Sequence, residues 1–382
     1  MTRSYLDHNA TSPLRPEARE AVLAALDLAG NASSIHAEGR GARAHVDTAR
    51  ERVAASLGCE PRQIVFTSGG TEANVMALSP SWLGDKKEGG LFISAVEHAS
   101  VLQGGRFGDD ETGVLPVDAN GIIDLEAART ALEAWQSESD GAPFLVSVML
   151  ANNETGVIQP VAQVAALAHE FGGLAHCDSV QAFGKMPLDA GALGVDLMTI
   201  SGHKFGGPKG VGALAVLRDG LPVAALLRGG GQEFGYRAGT ENVAAIAGFG
   251  AAAASPVQWD RIRALRDLLE MEAAGIAPDL TIFAAKTERL PNTSCFAVEG
   301  MDAETVLMAL DLEGVAVSAG SACSSGKVAR SHVLDAMGVA PELGSAAIRV
   351  SLGWNTDAED IQRFAAAWKT IYGRFAERRR AA

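Results

Sequence analysis

Short apolar, β-branched runs alternate with stretches in which apolar positions return every three or four residues. Gln63–Thr67, Leu91–Ser94, Phe144–Leu150, Leu174–Asp178 and Val195–Ile200 read as buried strands, because a strand covered on both faces shows no polar alternation. Helices are predicted from Pro16 to Leu28, from about Gly39 to Leu57, after Ser68–Asn74 to about Leu78, and over Leu125–Trp135 and Val161–Phe171. Pro16 at the first turn and Gly30 and Gly58 past the ends suit those boundaries. This βα alternation predicts a doubly wound α/β sheet, mainly parallel, whose ligands bind at the carboxyl ends of the strands. Tyr5–Pro13 reads as an irregular arm, Val211–Leu217 as a further strand, and Glu241–Ala254 as a helix of small residues suited to close packing. Ser255-Pro256 marks a boundary.

Beyond it, helices at about Gln258–Ala274, Asp302–Leu312 and Asp357–Phe375 alternate with strands near Leu280–Ala284, Ser294–Val298, Val315–Ser318 and Ile348–Leu352, which predicts an α+β lobe. The expected division is a large domain over 14–255 and a smaller domain made of 1–13 and 256–382, with a fraying charged tail from Glu377. No internal repeat is visible.

The 382 residues, 47% of them hydrophobic, suffice for one large and one smaller core. The net charge of −14 disfavours nucleic acid and anionic membranes as partners. Four cysteines with no C-x-x-C pair point to a reducing compartment, and no metal site is expected. The N-terminus has no signal-like apolar segment and no run reaches membrane-spanning length, so a cytoplasmic protein is expected.

Candidate chemistry gathers at the predicted strand ends. Lys204, in Ser201-Gly202-His203-Lys204, stands at the mouth of one strand. It is either a solvated loop lysine or an amine poised to attack a carbonyl carbon. Ser68-Gly69-Gly70-Thr71 joins a strand to a helix N-terminus, as a tight turn or as a phosphate cradle. It matches neither the P-loop nor the dinucleotide fingerprint. His98, Asn153, Asp178 and Gln181 fall at or beyond other strand ends.

A lysine, a carboxylate, a phosphate cradle and a ring together describe a pyridoxal-phosphate site. Asp178 suits the pyridine nitrogen or a plain strand-end cap. His98 suits ring stacking and proton transfer or a structural role. Gly70, Thr71, Ser201 and His203 can give donors to phosphate, and Gln181 can bond a ring hydroxyl. Cys323 lies in Ser318–Lys327, a small and polar segment read as a mobile loop with an exposed thiol, whereas Cys59, Cys177 and Cys295 read as structural. Arg349, a lone charge in Ile348–Leu352, marks an edge position or a carboxylate clamp.

Taken together, Tyr5–Thr11, Ser33–His36, Thr67–Asn74, Glu97-His98, Asn152–Gly156, His176–Gln181, Ser201–Lys204, Arg237–Asn242, Ser321-Ala322-Cys323 and Ile348–Leu352 resemble the cysteine desulfurases. These form part of the class V aminotransferase branch of the fold-type I pyridoxal-phosphate enzymes. The resemblance implies that Lys204 carries pyridoxal 5′-phosphate, His98 stacks on its ring, and Asp178 pairs with its nitrogen, with Asn153 and Gln181 near the ring oxygen. Thr71, Ser201 and His203 would hold phosphate, joined by Thr240 from the second subunit of a homodimer. Arg349, with Asn153 nearby, would clamp the substrate carboxylate. Cys323, on a loop at about 318–330, would take sulfur from L-cysteine as a persulfide, leaving alanine. The loop resembles the long-loop group serving nitrogenase-type and general iron–sulfur assembly, so a sulfur-acceptor protein such as an iron–sulfur scaffold is the implied partner. An aminotransferase or a selenocysteine lyase on the same fold, or a cofactor-bound scaffold without turnover, is the competing reading. His8, Ala32, Phe234, Tyr236 and the short C-terminal tail depart from the family pattern.

Overall fold

The computed structural model describes residues 3–83, 89–222, 224–319 and 330–381; Cys323 lies outside them. Seven strands form one sheet in the order Ile64–Thr67, Gly212–Val216, Leu197–Ser201, Leu174–Asp178, Phe144–Ser147, Gly90–Ser94, Thr112–Leu115. All pairings are parallel except those of Gly212–Val216, which runs antiparallel to both neighbours. Alternate residues of a strand enter different apolar clusters: Ile64 and Phe66 join one, and Val65 joins the other. Both faces are therefore covered, as the unbroken apolar runs require.

The helices Pro16–Leu26 and Ala37–Leu57 pack on the small-residue helix Val243–Ala254. The contact is close enough that a Cβ on Gly250 would stand 2.5 Å from Ala49 Cα, and one on Gly248 would stand 2.5 Å from Val22 Cγ2. In the loop before that helix, Glu233 is buried and held. Glu233 and Phe234 adopt left-handed backbone angles (φ 47° and 56°). Such residues cost on the order of 1 kcal/mol each and persist where the surroundings fix them. Here Arg50 holds both Glu233 carboxylate oxygens, at 2.7 and 2.8 Å, and the Phe66 backbone N–H donates to the same group.

A second core gathers Leu6, Ile262, Leu269, Phe296, Val350, Phe364 and Trp368. It lies on a four-stranded antiparallel sheet ordered Ser318–Ala319, Ile348–Ser351, Thr293–Ala297, Thr281–Ile282. Three expectations need correction. Val315–Ser318 is not one strand. Val315–Ala316 pairs in parallel with Ser4–Tyr5, and Ser318–Ala319 pairs with the strand carrying Arg349. The N-terminal arm is accordingly not irregular throughout; it supplies that strand and a bridge from Asp7 to Ser351. Nor does the tail fray at Glu377, since the last helix runs Ala358–Ala381, with Arg379 bonded to Asp279 at 3.0 Å. His8, one of the departures from the family pattern, is buried in the arm against Gly353, where any Cβ would overlap its ring.

Candidate active site

The strands ending at Ser147, Asp178 and Ser201 bring their carboxyl ends to a cavity of about 320 Å³. Gly70, Thr71, His98, Asn153, Asp178, Gln181, Ser201, His203, Lys204 and Arg349 all line it. A wider cleft of about 800 Å³, lined by Cys59, His169 and Asp196, contains none of them. One predicted residue is not brought to the cavity by this chain, and another is not described. Thr240 is exposed elsewhere on the same chain, and Cys323 is outside the described residues.

Lys204 closes a single 3₁₀ turn, Gly202–Lys204, directly after the strand Leu197–Ser201. It is not a solvated loop lysine: its Nζ donates to the backbone carbonyls of Asn9 (2.8 Å) and Ala10 (3.0 Å) on the N-terminal arm. Asp178, the last residue of its strand, is buried. Its Oδ1 accepts from the Val180 backbone N–H (2.9 Å) as a strand-end cap does, while Oδ2 accepts from Asn74 Nδ2 (2.8 Å). The same amide nitrogen reaches Ser100 Oγ at 2.8 Å, and that hydroxyl lies 2.8 Å from His98 Nδ1. The Ser100 backbone N–H also donates to His98 Nδ1, so this nitrogen is an acceptor and the proton of the neutral ring sits on Nε2. Asp178, Asn74, Ser100 and His98 thus form one hydrogen-bonded chain.

Gly70 opens the helix Gly70–Ala77; a Cβ there would stand 2.9 Å from Val180 Cγ2 and 3.4 Å from Ser201 Cβ. The absent side chain keeps the cavity open beside the helix N-terminus, where backbone N–H groups favour an anion. His203 Nδ1 lies 3.2 Å from Thr11 Oγ1. Burial, then the charges of Lys204, Lys209 and Lys185, lower its pKa to about 4, so its ring is neutral near pH 7.

Arg349 is 2% exposed and lies mid-sheet, opposite both Cys295 and Ser318, which excludes the edge reading. Its Nη2 pairs with Asp7 Oδ1 (2.8 Å) and its Nη1 donates to the Asn153 carbonyl (3.0 Å). Arg349 Nε and Asn153 Oδ1 are buried without a hydrogen-bond partner among the described residues. Ser331, where the chain re-enters after the undescribed segment, donates to Glu154 beside Asn153. Burial raises the Glu154 pKa to about 7 against the smaller opposing effects of Ser331 and Arg349.

Sequence reasoning passed over Asn9, Asn74, Glu97, Ser100 and Lys185. Asn74 had a usable signal, since it stands one helical turn after Gly70 and faces the same way. Glu97, next to His98, is fully buried and accepts from the Met149 backbone N–H; burial, then the Asp178 charge, push its pKa well up. Asn9 lies in the matching segment Tyr5–Thr11 but was given no role, because it reaches the cavity across the whole chain: its carbonyl accepts from Lys204 and from Gln181 Nε2 (3.0 Å). No group of three or more His, Cys, Asp or Glu able to hold a metal occurs among the described residues.

Comparison with known proteins places this arrangement. The model of the aminotransferase class-V family matches residues 4–364. A cysteine desulfurase of Cereibacter sphaeroides is 43% identical over 95% of this chain and 94% of its own length. The cysteine desulfurase IscS of Dictyoglomus turgidum is 41% identical over 94% and 91%. Among solved structures, a NifS-like protein from Rickettsia africae superposes with a TM-score of 0.87 at 36% identity, covering 97% of this chain and 99% of that one. SspA in complex with cysteine gives 0.78 at 29% identity, covering 93% and 100%.

Proposed function

Because the chain belongs to the class-V aminotransferase family and falls among its cysteine desulfurases, we propose that it removes sulfur from L-cysteine with pyridoxal 5′-phosphate held on Lys204 and the sulfur received by Cys323. One observation supports this above the rest: Lys204, Asp178, His98 and Arg349, from four distant parts of the sequence, line a single cavity. The family depends on pyridoxal phosphate, and the residues present fit that group. The cavity offers an amine held by two carbonyls, a carboxylate fixed at both oxygens, and a helix N-terminus whose first residue has no side chain to fill the space.

When bound, the cofactor supplies an electron sink for the bonds at the substrate's α-carbon. The chain supplies the rest. The Lys204 amine holds the cofactor and afterwards moves the α-proton. Asp178, kept in place by Asn74 and Val180, would accept from the pyridine nitrogen. His98, its Nδ1 engaged by Ser100, would stack on the ring and serve proton transfer. Ser201, His203, Thr71 and the helix N-terminus receive the phosphate. Arg349 Nε and Asn153 Oδ1 meet the substrate's charged groups, the guanidinium taking the carboxylate. The Cys323 thiolate attacks the substrate sulfur; an S–S bond forms as the C–S bond breaks. L-cysteine and a thiol thereby become L-alanine and a persulfide.

The two described ends of the Cys323 segment support its part in this. Ser318 pairs with Arg349, and Ser331 is tied to Glu154 beside Asn153. Two copies of the chain pair, with Thr240 of each reaching the other's phosphate site. The exposed Leu226, Leu227 and Phe234, close to Thr240 in sequence, support such a face. A sulfur-acceptor protein such as an iron–sulfur scaffold takes the persulfide sulfur, in a cytoplasmic setting. The unpaired Cys59, Cys177 and Cys295 support a reducing compartment, and no helix among the described residues is long and apolar enough to cross a membrane.

Mass spectrometry of the purified protein after L-cysteine, with and without reductant, tests the proposal. A reducible gain of one sulfur on the Cys323 peptide, with alanine formed, is expected. Alanine without that gain, or no alanine, contradicts it.

A further inference from the structure

Lys185 plays no part in the chemistry described so far, and it does not line the strand-end cavity. It is 1% exposed, in the turn that follows Asp178 and four residues beyond Gln181. A buried amine must find acceptors, and this one has two amide oxygens: its Nζ donates to Gln181 Oε1 at 2.7 Å and to Asn9 Oδ1 at 2.8 Å. Burial, followed by the charges of Lys204 and Arg349, lowers its pKa well below the ordinary lysine value. Charged or neutral, the amine has protons for both contacts.

An amide has unlike ends, and a donor accepts only its oxygen. With both oxygens turned to Lys185, both nitrogens point away from it. Gln181 Nε2 donates to the Asn9 carbonyl at 3.0 Å. Asn9 Nδ2 donates to the Asn153 carbonyl (3.2 Å) and to Thr293 Oγ1 (2.9 Å). Asn292 Nδ2 adds a second donor to Asn9 Oδ1, at 3.0 Å. The Asn9 carbonyl is also the acceptor for Lys204 Nζ at 2.8 Å. One buried amine therefore meets both amide oxygens: it shares Asn9 Oδ1 with Asn292 and holds Gln181 Oε1, which leaves Gln181 Nε2 to meet the Asn9 backbone carbonyl that also accepts from Lys204.

We infer that Lys185 is a positioning residue for the reaction: from behind the cavity it fixes the Asn9 and Gln181 amides, so that Gln181 presents a donor and Asn9 its backbone carbonyl to the Lys204 end of the site. The inference rests on reading the cavity as a pyridoxal-phosphate site. It differs from a packing role in one respect, because it acts through Gln181. Losing Lys185 frees the Gln181 amide to turn, so a deprotonated ring oxygen loses its donor. It also removes a nearby amine that disfavours positive charge on its neighbours. Both changes favour the protonated form of the bound cofactor.

The test is a pH titration of the cofactor's visible absorption in the purified holoenzyme, in Lys185→Met, in Gln181→Ala and in the double variant, with melting temperatures measured alongside. Methionine matches the length of lysine without its donors. The midpoint is expected to rise by about one unit in Lys185→Met, a tenfold change in proton affinity. It should rise in the same direction in Gln181→Ala, and no further in the double variant than in the larger single one. A midpoint within about 0.2 unit of the wild type, whatever the melting temperature does, overturns the inference, as do additive shifts. Lys185→Leu is titrated in the same way should Lys185→Met not fold. A wild-type protein with no titrating cofactor absorption refutes the cofactor reading itself, which is a separate outcome.

Discussion

The two walls of the cavity solve different problems. The wall built by the seven-stranded sheet is tied together through its donors: Asp178, Asn74, Ser100 and His98 form one chain, and Lys204 is seated on two carbonyls, with Asn74 Oδ1 the one atom of that chain buried without a hydrogen-bond partner among the described residues. The wall built by the four-stranded sheet and its neighbours holds Arg349 to Asp7 and Asn153, yet leaves Arg349 Nε and Asn153 Oδ1 buried without partners among the described residues. A buried polar atom left unpaired costs roughly 1–3 kcal/mol. Such atoms are tolerated where a ligand completes them. On the proposed function, the first wall holds the cofactor, which stays, and the second the substrate, which comes and goes. Changes to the first wall should therefore lower kcat, and changes to the second should raise KM.

Lys204→Ala carries the largest expected effect. Desulfurase turnover should fall by roughly 10⁴ or more, with a melting temperature close to that of the wild type; steady-state alanine release and calorimetry check both. Arg349→Gln comes next. Breaking a buried charged pair costs about 2–5 kcal/mol, so kcat/KM for L-cysteine should fall by roughly 30- to several-thousand-fold, chiefly through KM. An equal fall in kcat with KM unchanged would erase the distinction between the walls. Asn74→Ala removes the amide donor to Asp178. A hydrogen bond to a charged group contributes about 1.5–3 kcal/mol, so kcat should fall about 10- to 150-fold while KM stays within a few-fold.

The smallest effect is on stability. The Glu154 pKa, raised from 4.5 to about 7, means that the folded protein binds this proton more tightly than the unfolded chain does. Its contribution is present below pH 4.5 and is lost as pH rises toward about 7. Glu154→Gln should flatten that part of the profile, by about 2–4 °C in melting temperature between the two ends. Parallel profiles for the two proteins would show that Glu154 does not hold its proton.

Legibility in the sequence followed the same division. The parallel strands were readable because burial on both faces leaves continuous apolar runs, and the residues at their ends could be placed at the cavity from that alone. The small sheet was harder. Val315–Ser318 reads as one strand, and only the arm folding back onto Val315–Ala316 splits it. Asn9 and Lys185 escaped notice for a related reason. Their importance lies in contacts with Gln181, Lys204, Asn153 and Thr293, residues far away in sequence or, for Gln181, on a neighbouring turn whose facing the sequence does not display. Arg349 was legible as a choice between edge and clamp, and its central place in the sheet excludes the edge.

On the proposed function, Lys204, and not its buried neighbour Lys185, holds the cofactor in this cavity. Borohydride reduction of the purified protein, which fixes a carbonyl cofactor to the lysine carrying it, followed by peptide mapping, tests this most directly. The expected result is one cofactor adduct on the peptide containing Lys204 and none on the peptide containing Lys185. An adduct on Lys185 or on any other lysine, or no adduct at all, would contradict the account.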